Sequence, residues 1–402
     1  MPDDCIYLDN HATTRCDPRV VEAMLPYFTE RFGNAGSINH PFGWEAKDAV
    51  DVARSSIAAA LGAGEREIVF TSGATESNNL AIKGVAERAR KKGNHIVSLA
   101  TEHKSVVDVL DKLSRRDYEV TLVPVEPIGD AAHPSPTCGL VDVGRIAEAL
   151  RPDTILVSVM AANNEIGVLQ PIAEIGKLCR ERGIAFHCDA TQAVGKIAVD
   201  VATWNVDLLS FSAHKIYGPK GVGGLYVRRS SPPVRLAPQI DGGGQEAGFR
   251  SGTLNVPGIV GFAKALELCV AELPMESARQ GELRDRLYSG LSAELEGVGL
   301  NGPALDRPEL RLAGNLNCSF AYVDGEALMM SMKRLAVSSG SACTSANPEP
   351  SHVLRALGLG DDLTRASLRF GLGRFTTAEE IEAAIRLTAD SVRQLRRLSS
   401  MA

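Results

Sequence analysis

Lys215 sits in the run Ser212-Ala213-His214-Lys215-Ile216-Tyr217-Gly218-Pro219, directly after the apolar stretch Val206 to Phe211. A lysine fixed just past a strand end can form an imine with an aldehyde, although most lysines are solvated and do no chemistry. What singles this one out is Asp189, which closes a second apolar run beginning at Ile184, with Gln192 three residues further on. If the two runs are neighbouring parallel strands, acid and lysine share one sheet edge, where open α/β sheets bind their ligands. A Schiff-base lysine and a carboxylate that holds a pyridine nitrogen protonated are the pair that pyridoxal phosphate needs.

Other candidates fall at similar junctions. Ser72-Gly73-Ala74-Thr75-Glu76 passes from a strand into a helix, and small residues there leave backbone N–H groups and the helix dipole facing an anion. A plain helix cap would look the same. His103 follows a strand and is placed to lie over a planar ring or move a proton, where most such histidines are hydrogen-bonded structural groups. Asn164 follows the apolar run Thr154 to Met160. Asn34 lies in the glycine-rich segment Phe32 to Trp44, which composition alone reads as a connecting loop. Arg369 stands between Leu368 and Phe370; such an arginine closes a salt bridge more often than it grips a substrate carboxylate.

Cys343 has different company. Val337 to Pro350 is built of serine, glycine and alanine, which cannot fill a core, so a mobile loop is expected over about 337–350 with the cysteine in its middle. Free cysteines are normally buried. An accessible one with a lowered pKa would be a nucleophile; the alternative is an incidental loop cysteine.

Elements must hold these groups in place. Strand and helix alternate from about residue 67 to 227, which predicts a doubly wound, mostly parallel sheet. Gly73, His103, Asn164, Asp189 and Lys215 each follow a strand and so converge on one edge. A helix is expected from Asp17-Pro18 to roughly Phe28, capped by the acid, and another from Val256 to about Glu296 with a break near Leu273-Pro274. After residue 257 the continuous apolar strands thin out. The expected organisation is a large α/β domain over 15–257 and a smaller α+β domain over 1–14 and 258–402.

Composition narrows the class. In 402 residues, 44% are hydrophobic, 23% are charged and the net charge is −6, which is an ordinary globular balance with no general attraction to nucleic acid or an anionic membrane. No signal peptide or membrane span is visible, so the cytoplasm is the expected compartment. The eight cysteines show no zinc or disulfide spacing and should be reduced, so no metal site is expected.

TSGATESNN, TEHK, NNEIG, DATQAVGK, SAHKIYGPKG, RSGT, SSGSACTSA and LRFGLGRF occur in that order from residue 71 to 375. With them the chain resembles the cysteine desulfurases of IscS/NifS type, in the class-V aminotransferase superfamily, over nearly its whole length. The resemblance implies the fold of type I pyridoxal-phosphate transferases, with a sheet of the seven-stranded type in the large domain. It implies that Lys215 holds the coenzyme as a Schiff base, that Asp189 pairs with the pyridinium nitrogen, and that His103 stacks on the ring and moves protons. Gln192, with Asn164 as a second candidate, would bond the ring hydroxyl; Ala74, Thr75, Ser212 and His214 would bind the phosphate. Thr253 resembles a residue that reaches the phosphate site of the other subunit in a homodimer. Arg369, with Asn34 or Asn164, would hold the substrate carboxylate of L-cysteine, and Cys343 would accept its sulfur as a persulfide and deliver it to a protein such as an iron–sulfur scaffold or a tRNA-thiolation relay. Selenocysteine lyase and class-V aminotransferase are the alternatives within the same fold. Two features depart from the common pattern, Ala247 after the Gly-Gly-Gly-Gln-Glu run and a long loop over 126–139; neither touches the expected chemistry.

Overall fold

The computed structural model describes residues 5–129, 134–230, 232–339 and 350–399. Cys343 lies outside the described residues. After a two-residue strand β1 (Ile6–Tyr7) the chain forms seven strands: β2 (Ile68–Thr71), β3 (His95–Leu99), β4 (Glu119–Val123), β5 (Thr154–Met160), β6 (Ala185–Asp189), β7 (Leu208–Ser212) and β8 (Gly223–Val227). They make one sheet in the order β2-β8-β7-β6-β5-β3-β4, parallel throughout except for β8, which runs against both neighbours. The expected mostly parallel α/β sheet is what forms. β2, β3, β5, β7 and β8 are buried along their whole length and β6 at every residue but Ala185, as strands covered by helices on both faces must be.

β6 pairs in parallel with both β5 and β7, so Met160, Asp189 and Ser210 lie abreast. This register brings the residues just beyond Met160, Asp189 and Ser212 to one edge, with the N-terminus of the helix Ala74–Ala89 beside them.

A second, antiparallel sheet has the order β12-β10-β9, from β9 (Val298–Leu300), β10 (Asn315–Phe320) and β12 (Ser367–Gly371). Between β10 and β12 comes β11 (Leu335–Ala336), which pairs in parallel with β1. The start of the chain is thereby stitched to the second sheet, and the backbone of Asn10 bonds to Gly371.

Two expectations about helices need correction. The helix opened by Asp17, whose carboxylate accepts from the Arg19 N–H, ends at Met24, and a separate turn runs Pro26–Thr29, because Pro26 supplies no N–H to continue the ladder. By contrast Val256–Glu294 is one helix of 39 residues with Pro274 inside it, not a helix broken there. Ion pairs from Glu272 to Arg19 (2.7 Å) and Arg374 (3.0 Å) hold it where the proline removes a hydrogen bond. Its first half packs with Phe262 and Leu266 into the core beneath the large sheet, and its second half with Leu287 and Leu291 into the core of the second sheet.

Candidate active site

The helix Ala74–Ala89 begins without a side-chain cap, so its first backbone N–H groups have no intrahelical partner. Gly73 precedes it at φ +153°, and a Cβ there would face Ser212 Oγ at 3.8 Å, filling the space in front of that helix end. Glu76, in the first turn, would repel an anion, but its carboxylate accepts from Ser72 N–H (2.9 Å) and is neutralised by Arg250 (2.8 Å). The free amide N–H groups of this helix end thus stand beside Thr75, Ser212 and His214, an arrangement that suits an anion.

That seat is one end of a cavity of about 460 Å³. Ala74, Thr75, His103, Asn164, Asp189, Gln192, Ser212, His214, Lys215 and Arg369 all line it. Ten expected site residues from six separate stretches of chain therefore meet in one place. Asn34 and Thr253 do not line it within this chain: both are exposed, and Asn34 Oδ1 accepts from the Gly36 N–H at 2.8 Å.

Asp189 is buried and accepts from Asn78 Nδ2 (2.8 Å), Thr191 N–H (3.0 Å) and Thr191 Oγ1 (2.5 Å). Asn78 also donates to Ser105 Oγ (2.8 Å), and Ser105 Oγ lies 2.8 Å from His103 Nδ1. Since His103 Nδ1 also accepts from the Ser105 backbone N–H (3.1 Å), that nitrogen carries no proton, and in the neutral ring the proton is on Nε2. One buried asparagine thus ties the carboxylate and the histidine together.

Lys215 Nζ donates to the carbonyls of His11 (2.6 Å) and Ala12 (2.7 Å). Gln192 Nε2 donates to the same His11 carbonyl at 2.9 Å. Arg369 is paired: it donates to Asp9 Oδ1 (2.8 Å) and to the Asn164 carbonyl (3.0 Å), and Asp9 also accepts from Ser338 Oγ (3.0 Å). Its Nε is buried and has no partner among the described residues.

The three histidines of the cavity are held neutral. Burial, then Lys215, brings His214 down to about 4; burial, with Lys196 and Arg369 next, pushes His11 well below the usual imidazole range; and burial lowers His103 against the opposing pull of Asp189. Neutral imidazoles are what a proton-transferring or ring-stacking role requires near neutral pH.

Asp9, His11, Ala12, Asn78, Ser105, Thr191 and Lys196 belong to the site and were not marked by sequence pattern. Two act through backbone carbonyls, which no side chain advertises. Asn78 carried a signal: a polar residue on the inward face of the helix that starts at the phosphate seat.

The model of the class-V aminotransferase family matches residues 6–384. Similar proteins include one named cysteine desulfurase IscS from Anaeromyxobacter dehalogenans (strain 2CP-C), 58% identical over 396 residues, covering 98% of this chain and 94% of that one. Its namesake from Glaesserella parasuis serovar 5 (strain SH0165) is 55% identical over 398 residues, covering 98% and 95%. The chain belongs to the class-V aminotransferases, within the IscS-type cysteine desulfurases.

Solved structures agree in shape. A NifS-like protein superposes with a TM-score of 0.87 at 37% identity, covering 97% of this chain and 100% of that one. SspA in complex with cysteine gives 0.78 at 36% identity, covering 92% and 99%. Class-V desulfurases depend on pyridoxal phosphate, and the anion seat, the buried carboxylate and the lysine along one wall suit that coenzyme's phosphate, ring nitrogen and aldehyde. Among the described residues no helix is long and apolar enough to cross a membrane.

Proposed function

We propose that this chain is a cysteine desulfurase whose pyridoxal phosphate is held by Lys215, Asp189 and the helix end at Ala74, and whose sulfur acceptor is Cys343. The observation that carries the reading is the convergence of Lys215, Asp189, His103, Arg369 and the uncapped helix in one cavity. Bound there, the coenzyme supplies an electron sink for the pair released when a bond to the α-carbon of an amino acid is broken.

The chain's own groups do the rest. Asp189, oriented by Asn78 and Thr191, would hold the ring nitrogen by a carboxylate oxygen. His103, its Nδ1 held by Ser105, would lie over the ring and offer its Nε2 proton to the cavity. The Lys215 amine, kept in place by two carbonyls, takes and returns the proton of the substrate's α-carbon. Arg369 holds the substrate carboxylate by its remaining donors, with its charge already fixed in direction by Asp9. The balance is L-cysteine plus the Cys343 thiol giving L-alanine plus a persulfide at Cys343, so that no outside oxidant or reductant is needed. The persulfide sulfur then passes to an acceptor protein.

We further propose a homodimer. Leu25, Phe28, Phe32, Ile38, Phe42 and Trp44 are each more than half exposed, and Phe32 and Phe42 stack at 5.4 Å, so the segment around Asn34 forms an apolar face that a second copy would cover. Asn34 and Thr253, exposed in one chain, would then complete the partner's cavity. The seven described cysteines are all free, which suits the reducing cytoplasm.

The test is Cys343→Ser. The variant should bind the coenzyme and show its visible band, yet form neither persulfide nor alanine at more than a trace when given cysteine. Unchanged alanine production would remove the desulfurase reading and leave an aminotransferase-like or lyase activity.

A further inference from the structure

Lys196 is a half-buried cation in the wall between the coenzyme cavity and a second, smaller cavity of about 40 Å³, which it lines together with His11, Cys269, Glu276 and Arg374. Its Nζ lies 2.5 Å from Gln192 Oε1. An ammonium only donates, so this contact decides which end of the amide is oxygen. The amide nitrogen must face the other way, and there one of its two N–H groups goes to the His11 carbonyl. The second has no partner among the described residues, and Gln192 lines the coenzyme cavity.

His11 supports this orientation without dictating it. Its Nδ1 lies 3.2 Å from Gln192 Oε1 and must carry the ring proton to bond there, which leaves Nε2 a buried lone pair without a partner. An imidazole can exchange tautomers and would accommodate a turned amide; a lysine cannot. Nor does Lys196 serve an ion pair, since the charges that act on it are the cations Lys215 and Arg369 and the Cys269 thiol. Burial, with Lys215 next, brings its pKa down to about 7, so it is below that pH that the group is the ammonium that only donates. A cation kept here without a carboxylate has its role in the one contact it makes.

We propose that Lys196 is a positioning residue for the coenzyme: by occupying Gln192 Oε1 it turns the amide N–H toward the cavity, to meet an acceptor oxygen on the coenzyme's ring. The proposal rests on the reading that pyridoxal phosphate binds in this cavity beside Gln192. With Lys196 removed, the amide is free to rotate and set its oxygen against the ring oxygen, losing one hydrogen bond and placing two acceptors face to face.

The experiment strips coenzyme from the wild type, Lys196→Met, Gln192→Ala and the double variant, then titrates each with pyridoxal phosphate by visible absorbance on the acid side of neutrality, where Lys196 is an ammonium. Lys196→Met should lower the affinity about tenfold, close to the effect of Gln192→Ala, and the double variant should be no weaker than Gln192→Ala alone. Lys196→Arg, which keeps a group that only donates, should stay near wild type. Wild-type affinity in Lys196→Met, or a double variant about tenfold weaker than Gln192→Ala, would overturn the proposal. So would a lowered melting temperature of the stripped Lys196→Met protein with no change in affinity, which marks a packing role. Failure of the underlying reading looks different: the wild type would develop no coenzyme band, or the band would survive in Lys215→Ala, and the proposal would fall with it.

Discussion

Lys215 Nζ donates to the carbonyl of Ala12, 203 residues earlier in the chain, at 2.7 Å. The start of the chain thus becomes part of the cavity wall: β1 pairs with β11, Asn10 bonds to Gly371, and the carbonyls of His11 and Ala12 accept from the lysine. The two carbonyls fix the amine against the wall of the cavity that Asp189 and His103 also line.

Lys215→Ala should therefore lose the visible band of the covalently held coenzyme and lower cysteine turnover by at least about 10³-fold, the scale of a missing base. Absorbance and alanine assays on the same preparation check both. A band that persists would place the covalent link on another lysine.

Asn78→Ala should act on two groups at once, because Asn78 Nδ2 bonds both Asp189 and Ser105, and Ser105 in turn bonds His103. Coenzyme affinity is expected to fall about tenfold, the worth of one hydrogen bond to a charged group. Turnover should fall further, since His103 loses its fixed orientation. Equal losses in the two measurements would show that Asn78 serves Asp189 alone.

Arg369→Lys should raise the KM for cysteine by roughly 10- to 100-fold while the coenzyme band stays intact, because an ammonium cannot bond Asp9, the Asn164 carbonyl and a carboxylate in one plane. A change confined to kcat would argue that the guanidinium does not hold the substrate.

Glu165 supplies a pH test. It is buried, its carboxyl accepts from Ser351 Oγ at 2.5 Å, and burial pushes its pKa up to about 7 against the opposing pull of Ser351, Arg369 and Lys104. A carboxyl whose folded pKa is raised contributes stability that is fully present below the unfolded value of about 4.5 and is lost as pH rises through about 7. Glu165→Gln removes that dependence. Its melting temperature should match the wild type at pH 4 and exceed it at pH 8, by the equivalent of up to about 3 kcal/mol. Parallel curves for the two proteins across this range would place the titration elsewhere.

Sequence alone determined the parts that are local. Strand and helix alternate with their own periods, so the parallel sheet, the strand ends near Met160, Asp189 and Phe211, and the helix that starts after Gly73 were all readable, and with them the edge where His103, Asn164 and Lys215 meet; that this helix has no side-chain cap was not. Motif resemblance then carried the coenzyme and the class of reaction. Tertiary structure decided what each group touches, because a hydrogen bond between residues far apart leaves no pattern in either segment. The pairing of Arg369 with Asp9 spans 360 positions, the hold of Asn78 on Asp189 spans 111, and the His11 and Ala12 carbonyls carry no side-chain signal. Proline at 274 reads locally as a stop, yet packing at both ends and the ion pairs of Glu272 keep the helix running, since burial of two apolar halves outweighs one missing hydrogen bond.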